Sequence, residues 1–68
     1  MIVGIGELEI EYDNLYEKII ELDSVINSPL YEKFNPQIKS WMEIQLKAME
    51  AYLICLNSRI HYIKGSKK

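Results

Sequence analysis

The fold of this 68-residue chain is decided by residues 26–36, which read Ile-Asn-Ser-Pro-Leu-Tyr-Glu-Lys-Phe-Asn-Pro. Pro29 moves Ser28 out of the α conformation, so a preceding helix must end near Asn27. The pair Asn35-Pro36 is typical of an N-cap followed by the first residue of a new helix. This segment therefore separates a first helix, predicted at about 7–27, from a second, predicted at about 36–64, through a linker at 28–35 that the Ser-Pro start allows to form one helical turn.

Before the linker, apolar residues recur three and four positions apart, which indicates one buried helical face. This first seam consists of Ile5, Leu8, Tyr12, Leu15, Ile19, Leu22 and Ile26. Between Glu7 and Tyr12, however, acidic and apolar residues alternate, as they do in a strand. Asn14 and Glu17 also have the spacing of a capping box, which would start the helix later. The conformation of residues 1–12 is therefore left open between helix, strand and extended arm.

After the linker, the second helix has apolar residues on more than one side. One stripe contains Ile38, Met42, Gln45, Met49, Tyr52, Leu56, Arg59 and Ile63. A second stripe contains Trp41, Ile44, Ala48, Ala51, Cys55 and Tyr62, and a third adds Leu46, Leu53 and Ile60. Packing against one partner needs a single stripe. The helix is expected to stop at Gly65, with residues 66–68 as a frayed tail.

A chain this short seldom stabilises itself through one core, and natural scaffolds of this size add disulfides, a metal or partner subunits. Cys55 is the single cysteine, and with His61 it is one of only two soft metal ligands in the sequence. Association with partner subunits is therefore the remaining source of additional stability. The predicted fold is all-α, with residues 1–68 forming one two-helix antiparallel hairpin that assembles into a homo-oligomeric helical bundle.

Composition and charge exclude several classes of protein. No apolar run is long enough to span a bilayer, and the start of the chain does not have the pattern of a signal peptide, so a cytoplasmic protein is expected. Residues 1–27 carry seven acidic side chains and one basic one, whereas residues 28–68 carry seven basic and three acidic ones. The net charge of −2 disfavours nucleic-acid binding, which needs a concentrated basic surface.

No catalytic set is found in the sequence. His61 is the only histidine and lies between apolar residues near a helix end. Cys55 lies among Leu53, Ile54 and Leu56, a pattern that favours a buried, inert thiol over a nucleophile. We therefore expect no enzymatic activity, no metal site and no cofactor.

Arg59 is the most informative polar residue, because it interrupts an otherwise apolar stripe, as does Gln45. One interpretation is structural: Arg59 pairs with Glu7, Glu9 or Glu11 of the first helix, and Gln45 fixes the register. The other is functional, because guanidinium and ammonium groups bind phosphates and aromatic rings stack on bases. The candidate ligand-binding residues at the open end of the hairpin are Tyr12, Tyr16, Arg59, Tyr62 and Lys64.

The pattern Gln45-Leu46-x-Ala48-Met49-x-x-Tyr52-x-x-x-Leu56-x-x-Arg59-Ile60, after Lys18-Ile19 and a linker with Phe34, resembles a family of very small bacteriophage hairpin proteins. That family occurs in crAss-like and other tailed phages. Its architecture is similar to the phage anti-CBASS sponges, helical hairpins that oligomerise and bind cyclic oligonucleotide immune signals between subunits without hydrolysing them.

The resemblance implies a phage anti-defence protein in the cytoplasm of the infected host, which sequesters a nucleotide-derived immune signal by stoichiometric binding between subunits. Arg59 and Lys64 would then bind phosphates, and Tyr12, Tyr16 or Tyr62 would stack on bases. The alternative is a helical adaptor without a small ligand, which binds a host or phage protein through its apolar face.

Overall fold

The structure, a computed structural model, describes residues 4–65 and consists of two long helices joined by a short turn. Helix α1 spans Ile5–Ile26, a 3-10 helix spans Pro29–Lys33, and helix α2 spans Pro36–Gly65. The described part of the chain contains no strand, so the prediction of an all-α hairpin is confirmed. The predicted frayed tail, residues 66–68, and residues 1–3 of the segment whose conformation was left open lie outside the described residues.

The two helices run antiparallel and form a rod with extents of 51 × 19 × 16 Å. Residues 5–12 belong to α1, so the alternation of acidic and apolar residues there does not form a strand. Asn14 lies inside the same helix and does not begin it. Helix α2 begins as the sequence indicates: the Asn35 Oδ1 accepts a hydrogen bond from the backbone N–H of Ile38 at 2.9 Å, which satisfies a free donor of the first turn.

The core lies near the open end of the hairpin and is small. Leu8 packs there against Leu56 and Ile60, and all three side chains are buried. Around this cluster pack four partly buried residues: Ile5, Tyr12, Leu15 and Ile63. Ile19, in the middle of α1, is the remaining buried apolar residue of the described chain. The seam predicted for α1 is therefore the face that α1 presents to α2.

The seam of α2 differs from each of the three predicted stripes. Its more covered apolar residues recur three and four positions apart and combine the first stripe with the third: Met42, Leu46, Met49, Leu53, Leu56, Ile60 and Ile63. Gln45 and Arg59, predicted on the seam, are exposed instead. Because α2 is apolar on several sides, its pattern alone did not show which side α1 would cover.

Polar contacts between α2 and the rest of the hairpin lie along the edges of the buried seam. The Lys64 Nζ lies 3.1 Å from a carboxylate oxygen of Glu9, and the Tyr52 hydroxyl donates a hydrogen bond to Glu11. Near the closed end, the Tyr31 hydroxyl donates to Glu43. These contacts join the acidic α1 and the linker to α2, in line with the charge asymmetry of the sequence.

Candidate functional site

Four of the five candidate ligand-binding residues divide between two surfaces of the hairpin, on opposite flanks of α2, and Tyr16 lines neither surface. Tyr12 and Lys64 line a groove between the helices. Arg59 and Tyr62 lie on a separate patch of α2. The division follows from helix geometry, since five residues separate Arg59 from Lys64 and this spacing places their side chains roughly 140° apart around the axis.

The groove between the helices, here called the inter-helix groove, carries mixed charge. Its lining residues are Glu9, Tyr12, Asp13, Asn57, Ile60, His61 and Lys64. Lys64 pairs with Glu9 at 3.1 Å, so its charge is already balanced within the hairpin. Two carboxylates in the same groove repel phosphate. Within one hairpin, the inter-helix groove is therefore a poor place for a polyanionic ligand.

Tyr12 and Tyr16 form a stacked pair, with ring centroids 6.2 Å apart and an interplanar angle of 10°. Tyr12 also packs against the core, which limits the ring surface that it offers to a ligand. Tyr16 is half-exposed, at 49%, and extends the pair away from the inter-helix groove. Because Tyr16 is the more exposed of the two rings, it is the better placed for stacking on a base.

The second surface, here called the Arg59 patch, is lined by Cys55, Ser58, Arg59, Tyr62 and Ile63. None of these side chains is acidic. Among residues 4–65, no carboxylate lies within ion-pair distance of Arg59, so the predicted pairing with Glu7, Glu9 or Glu11 is not formed. Glu9 instead contacts Lys64, and Glu11 accepts from Tyr52. Arg59 therefore remains available to bind an anion.

The aromatic ring of the patch, Tyr62, is strongly exposed, with 79% of its surface accessible. It lies three residues beyond Arg59, a spacing that places both on one side of a helix. An aromatic ring next to an unpaired guanidinium offers stacking for a base and charge for a phosphate. Cys55 is exposed on the same patch, which corrects the prediction of a buried thiol: α1 covers the other side of α2.

Electrostatics around Tyr52 show how closely the edge of the seam approaches the Arg59 patch. The hydrogen bond to Glu11, assisted by desolvation, raises the pKa of Tyr52, and the charge of Arg59 opposes this effect. Arg59 is thus close enough to act on the Tyr52–Glu11 pair without forming an ion pair with Glu11.

Sequence reasoning missed several lining residues of both surfaces. In the inter-helix groove these include Asn57 and His61, which share the helical spacing of Lys64. In the Arg59 patch they are Cys55 and Ser58, which precede Tyr62 by seven and four residues. Extending the three- and four-residue spacing backwards from Lys64 and Tyr62 would have found them.

Two further arrangements were not found among the described residues. Within residues 4–65, no helix has the combination of length and apolar character that a bilayer crossing requires. In the same part of the chain, no three histidine, cysteine, aspartate or glutamate side chains are grouped in a way that would hold a metal ion.

The fold places the chain in the class of small two-helix hairpins, and one of its surfaces carries an arginine and an exposed aromatic ring. The model of one protein family, Sequestin, matches residues 5–62, which is most of the chain. The protein therefore belongs to the Sequestin family, whose name indicates a sequestering function. Comparison with curated proteins and with solved structures found no match.

Proposed function

We propose that this protein is a phage anti-defence protein, which sequesters a nucleotide-derived immune signal by stoichiometric binding between subunits in the cytoplasm of the infected host. No catalytic step is involved. The observation that carries the proposal is the Arg59 patch, where a guanidinium that has no carboxylate partner among residues 4–65 lies beside the exposed ring of Tyr62. Membership of the Sequestin family supports a binding role of this kind.

Assembly into a homo-oligomer is part of the proposal, because one hairpin leaves too much apolar surface exposed. Ile10, Trp41, Ile44, Ile54 and Tyr62 each keep at least 60% of their surface accessible. Exposed apolar patches larger than a few hundred Å² mark interaction sites on soluble proteins. A ligand held between subunits would also be enclosed, which the open patch of one hairpin does not achieve.

Within this proposal, Arg59 is the principal phosphate-binding residue and Tyr62 the principal stacking residue. Lys64 is secondary, because Glu9 already balances its charge. Tyr12 lines the inter-helix groove and Tyr16 stacks on it, so both contribute only if a second subunit brings them to the Arg59 patch.

A thermal-shift series tests the ligand class. A ligand that binds only the native state raises the melting temperature with its concentration. We expect at least one member of a panel of cyclic dinucleotides, cyclic trinucleotides and cyclic ADP-ribose isomers to do so, with Arg59→Ala abolishing the shift and Lys64→Ala reducing it less. A flat response across the whole panel contradicts the proposal.

The second candidate function is that of an adaptor, in which the exposed apolar face of α2 binds a host or phage protein. The exposure of Trp41 and Ile44, 60% and 62%, favours it. The two candidate functions predict different oligomeric states for the isolated protein. An adaptor is expected to be a monomer whose α2 face is free for its partner protein. The proposed sponge is expected to be a homo-oligomer. Mass in solution at micromolar concentration separates them.

A further inference from the structure

One face of α2, here called the outer face, points away from α1 along the whole rod. Its positions follow a heptad spacing: Trp41, Ile44, Ala48, Ala51, Cys55, Ser58 and Tyr62. All seven side chains are exposed. None is charged, and the three charged residues between positions 41 and 58, Glu43, Lys47 and Glu50, lie elsewhere around the helix. A heptad of this kind is the pattern by which two helices pack against each other.

The sizes of these residues select a partner and a direction. In an antiparallel pair of identical helices, with Ala48 opposite Ala51, Ile44 faces Cys55 and Trp41 faces Ser58. Trp41 and Ile44 then each meet a small side chain, Tyr62 lies further along opposite Gln37, and the small residues at the centre let the backbones approach closely. Interiors pack at high density, so such complementarity matters. The outer face is therefore complementary to itself in the antiparallel direction.

A parallel pair of the same helices packs badly. Trp41 would then meet Trp41 and Tyr62 would meet Tyr62, with Ala48, Ala51 and Cys55 facing their own copies between them. The bulky ends would hold the helices apart and leave an unfilled space in the middle, which costs stability. Antiparallel helices also bring opposite ends of their dipoles together.

The area available is of the order that a dimer needs. An aromatic side chain buries about 150–250 Å² when fully covered, and Trp41 and Tyr62 contribute to the interface the part of this surface that a ligand does not contact. A stable interface buries roughly 800 Å² per partner. Ile44, the small residues and the flanking side chains along about 30 Å of helix supply more.

We propose that the outer face of α2 is the dimer interface, and that two copies pair through it in the antiparallel register that places Trp41 of one copy opposite Ser58 of the other. This register has a consequence for the Arg59 patch, of which Ser58 is part. Trp41 of the second copy lies beside Arg59 and Tyr62 of the first, and completes a site with two aromatic rings and one guanidinium.

The twofold relation creates two such composite sites in the dimer. Within one copy, Trp41 and Arg59 are eighteen residues apart, roughly 27 Å along the helix, and cannot reach the same nucleotide. The role of Trp41 as a stacking residue thus exists only in the dimer. For its ligand, a nucleotide with a base and a phosphate, this step rests on the proposed function.

Disulfide cross-linking tests the register without any ligand. Ile44→Cys places a thiol opposite Cys55 of the second copy, and mild oxidation should yield a covalent dimer on a non-reducing gel. Wild-type protein should stay uncrosslinked, because antiparallel pairing separates the two Cys55 residues by roughly 16 Å along the axis. Ile10→Cys, with the same exposure on α1, is the matched control and should not cross-link. Rapid cross-linking of the wild type, or none with Ile44→Cys, overturns the register.

Mass in solution tests the interface itself. Ile44 and Ile10 have almost equal exposure, 62% and 63%, and lie on different helices. Ile44→Glu should reduce the mass measured by light scattering twofold and leave the helical circular dichroism intact, whereas Ile10→Glu should leave the mass unchanged. A wild-type monomer at micromolar concentration, or dissociation by Ile10→Glu alone, overturns the proposal.

Fluorescence tests whether Trp41, the only tryptophan of the chain, lies in the interface. Its emission should lie at shorter wavelength in the wild-type dimer than in Ile44→Glu, because the partner covers a ring that is 60% exposed in one hairpin. Equal emission from both contradicts the proposed cover of Trp41. These measurements need no nucleotide, so a failed interface is distinguished from a failed nucleotide panel: cross-linking without any thermal shift removes the ligand and keeps the dimer.

Discussion

The two apolar faces of α2 differ in how far their side chains are buried in the hairpin. The inner seam contains Leu56, which is fully buried, and Ile60, which is nearly so. The outer face contains Trp41 and Ile44, which are 60% and 62% exposed in the hairpin. The difference teaches that apolar periodicity has two possible uses in a small helical protein, since one stripe can stabilise the chain and another can hold copies of the chain together.

The largest expected effect is on the inner seam. Leu56→Ala removes a fully buried side chain from the Leu8–Ile60 cluster and should lower the free energy of unfolding by roughly 2–5 kcal/mol. Ile54→Ala, two residues away but 68% exposed, should change it by less than about 0.5 kcal/mol. Urea unfolding of both variants at one protein concentration measures the contrast. Equal losses in the free energy of unfolding would mean that α1 does not pack specifically against the face of α2 that contains Leu56.

The next effect is on ligand binding by the other surface. Arg59→Ala should lower the affinity for a stabilising panel nucleotide about 10- to 100-fold, because a charge-assisted hydrogen bond to phosphate is lost. Lys64→Ala should cost less, since Glu9 pairs with that lysine at 3.1 Å. Isothermal titration of both variants measures the two losses of affinity and thus their ratio. A larger loss for Lys64→Ala would place the ligand in the inter-helix groove instead.

Mixing two defective variants sharpens the same test. Arg59→Ala and Trp41→Ala should each bind poorly alone, and an equimolar mixture should recover binding. In a mixed dimer, one composite site has Arg59 from one copy and Trp41 from the other, and is intact. Titration of the mixture measures the recovered sites. No recovery from variants that still form dimers would show that the two residues do not share a site.

A smaller effect concerns the start of α2, which sets the position of both faces. Asn35→Ala removes the hydrogen bond from the Ile38 N–H to the Asn35 side chain and should destabilise the hairpin by about 1 kcal/mol. Asn35→Asp retains an acceptor and should be close to wild type. Thermal unfolding of the two variants measures this difference in stability. Equal destabilisation by both substitutions would show that the cap does not depend on the side-chain oxygen.

The smallest effect appears only at high pH, at the edge of the inner seam. The hydrogen bond to Glu43, with desolvation and the charge of that carboxylate, raises the pKa of Tyr31 from 10.0 to about 12. The protonated phenol is thus favoured by folding, so its contribution is complete below pH 10 and is lost as the pH rises from 10 to 12. Tyr52, whose pKa is also raised, adds a loss of the same sign.

Tyr31→Phe is the matched variant for this pH dependence. We expect wild type and variant to differ in stability at pH 9 and to converge towards pH 12, because the variant has no phenol to deprotonate. Denaturant midpoints across this range provide the measurement. A difference that stays constant with pH would show that the Tyr31–Glu43 contact does not depend on the phenol proton.

The two helices were unequally predictable, for a physical reason. In α1, apolar residues occupy one side, so the three- and four-residue spacing from Ile5 to Ile26 showed the buried face directly. In α2, large apolar residues occur on several sides, and the stripe with Gln45 and Arg59 had the same period as the true seam. Period fixes the kind of structure but not its rotation when several rotations bury similar apolar surface.

The candidate site was also only partly predictable from the spacing of residues along the sequence. Arg59 and Tyr62 were expected together and lie together, because three residues of helix separate them. Lys64 and Tyr12 were expected beside them and line the inter-helix groove instead. The five-residue step from Arg59 to Lys64 already places the two side chains on different sides of α2. The rotation of α2 against α1 decided which of these sides faces Tyr12.

The sequence by itself determined the two helices, the break at Ser28-Pro29, the cap at Asn35 and the surplus of apolar surface on α2. These are local properties: backbone restriction, a side-chain acceptor and the residues present on one helix. Only the tertiary structure decided which side of α2 is covered, that Glu9 neutralises Lys64, and that Arg59 stays unpaired among the described residues. Burial and pairing belong to two helices together, because each depends on the surface that the neighbouring helix presents.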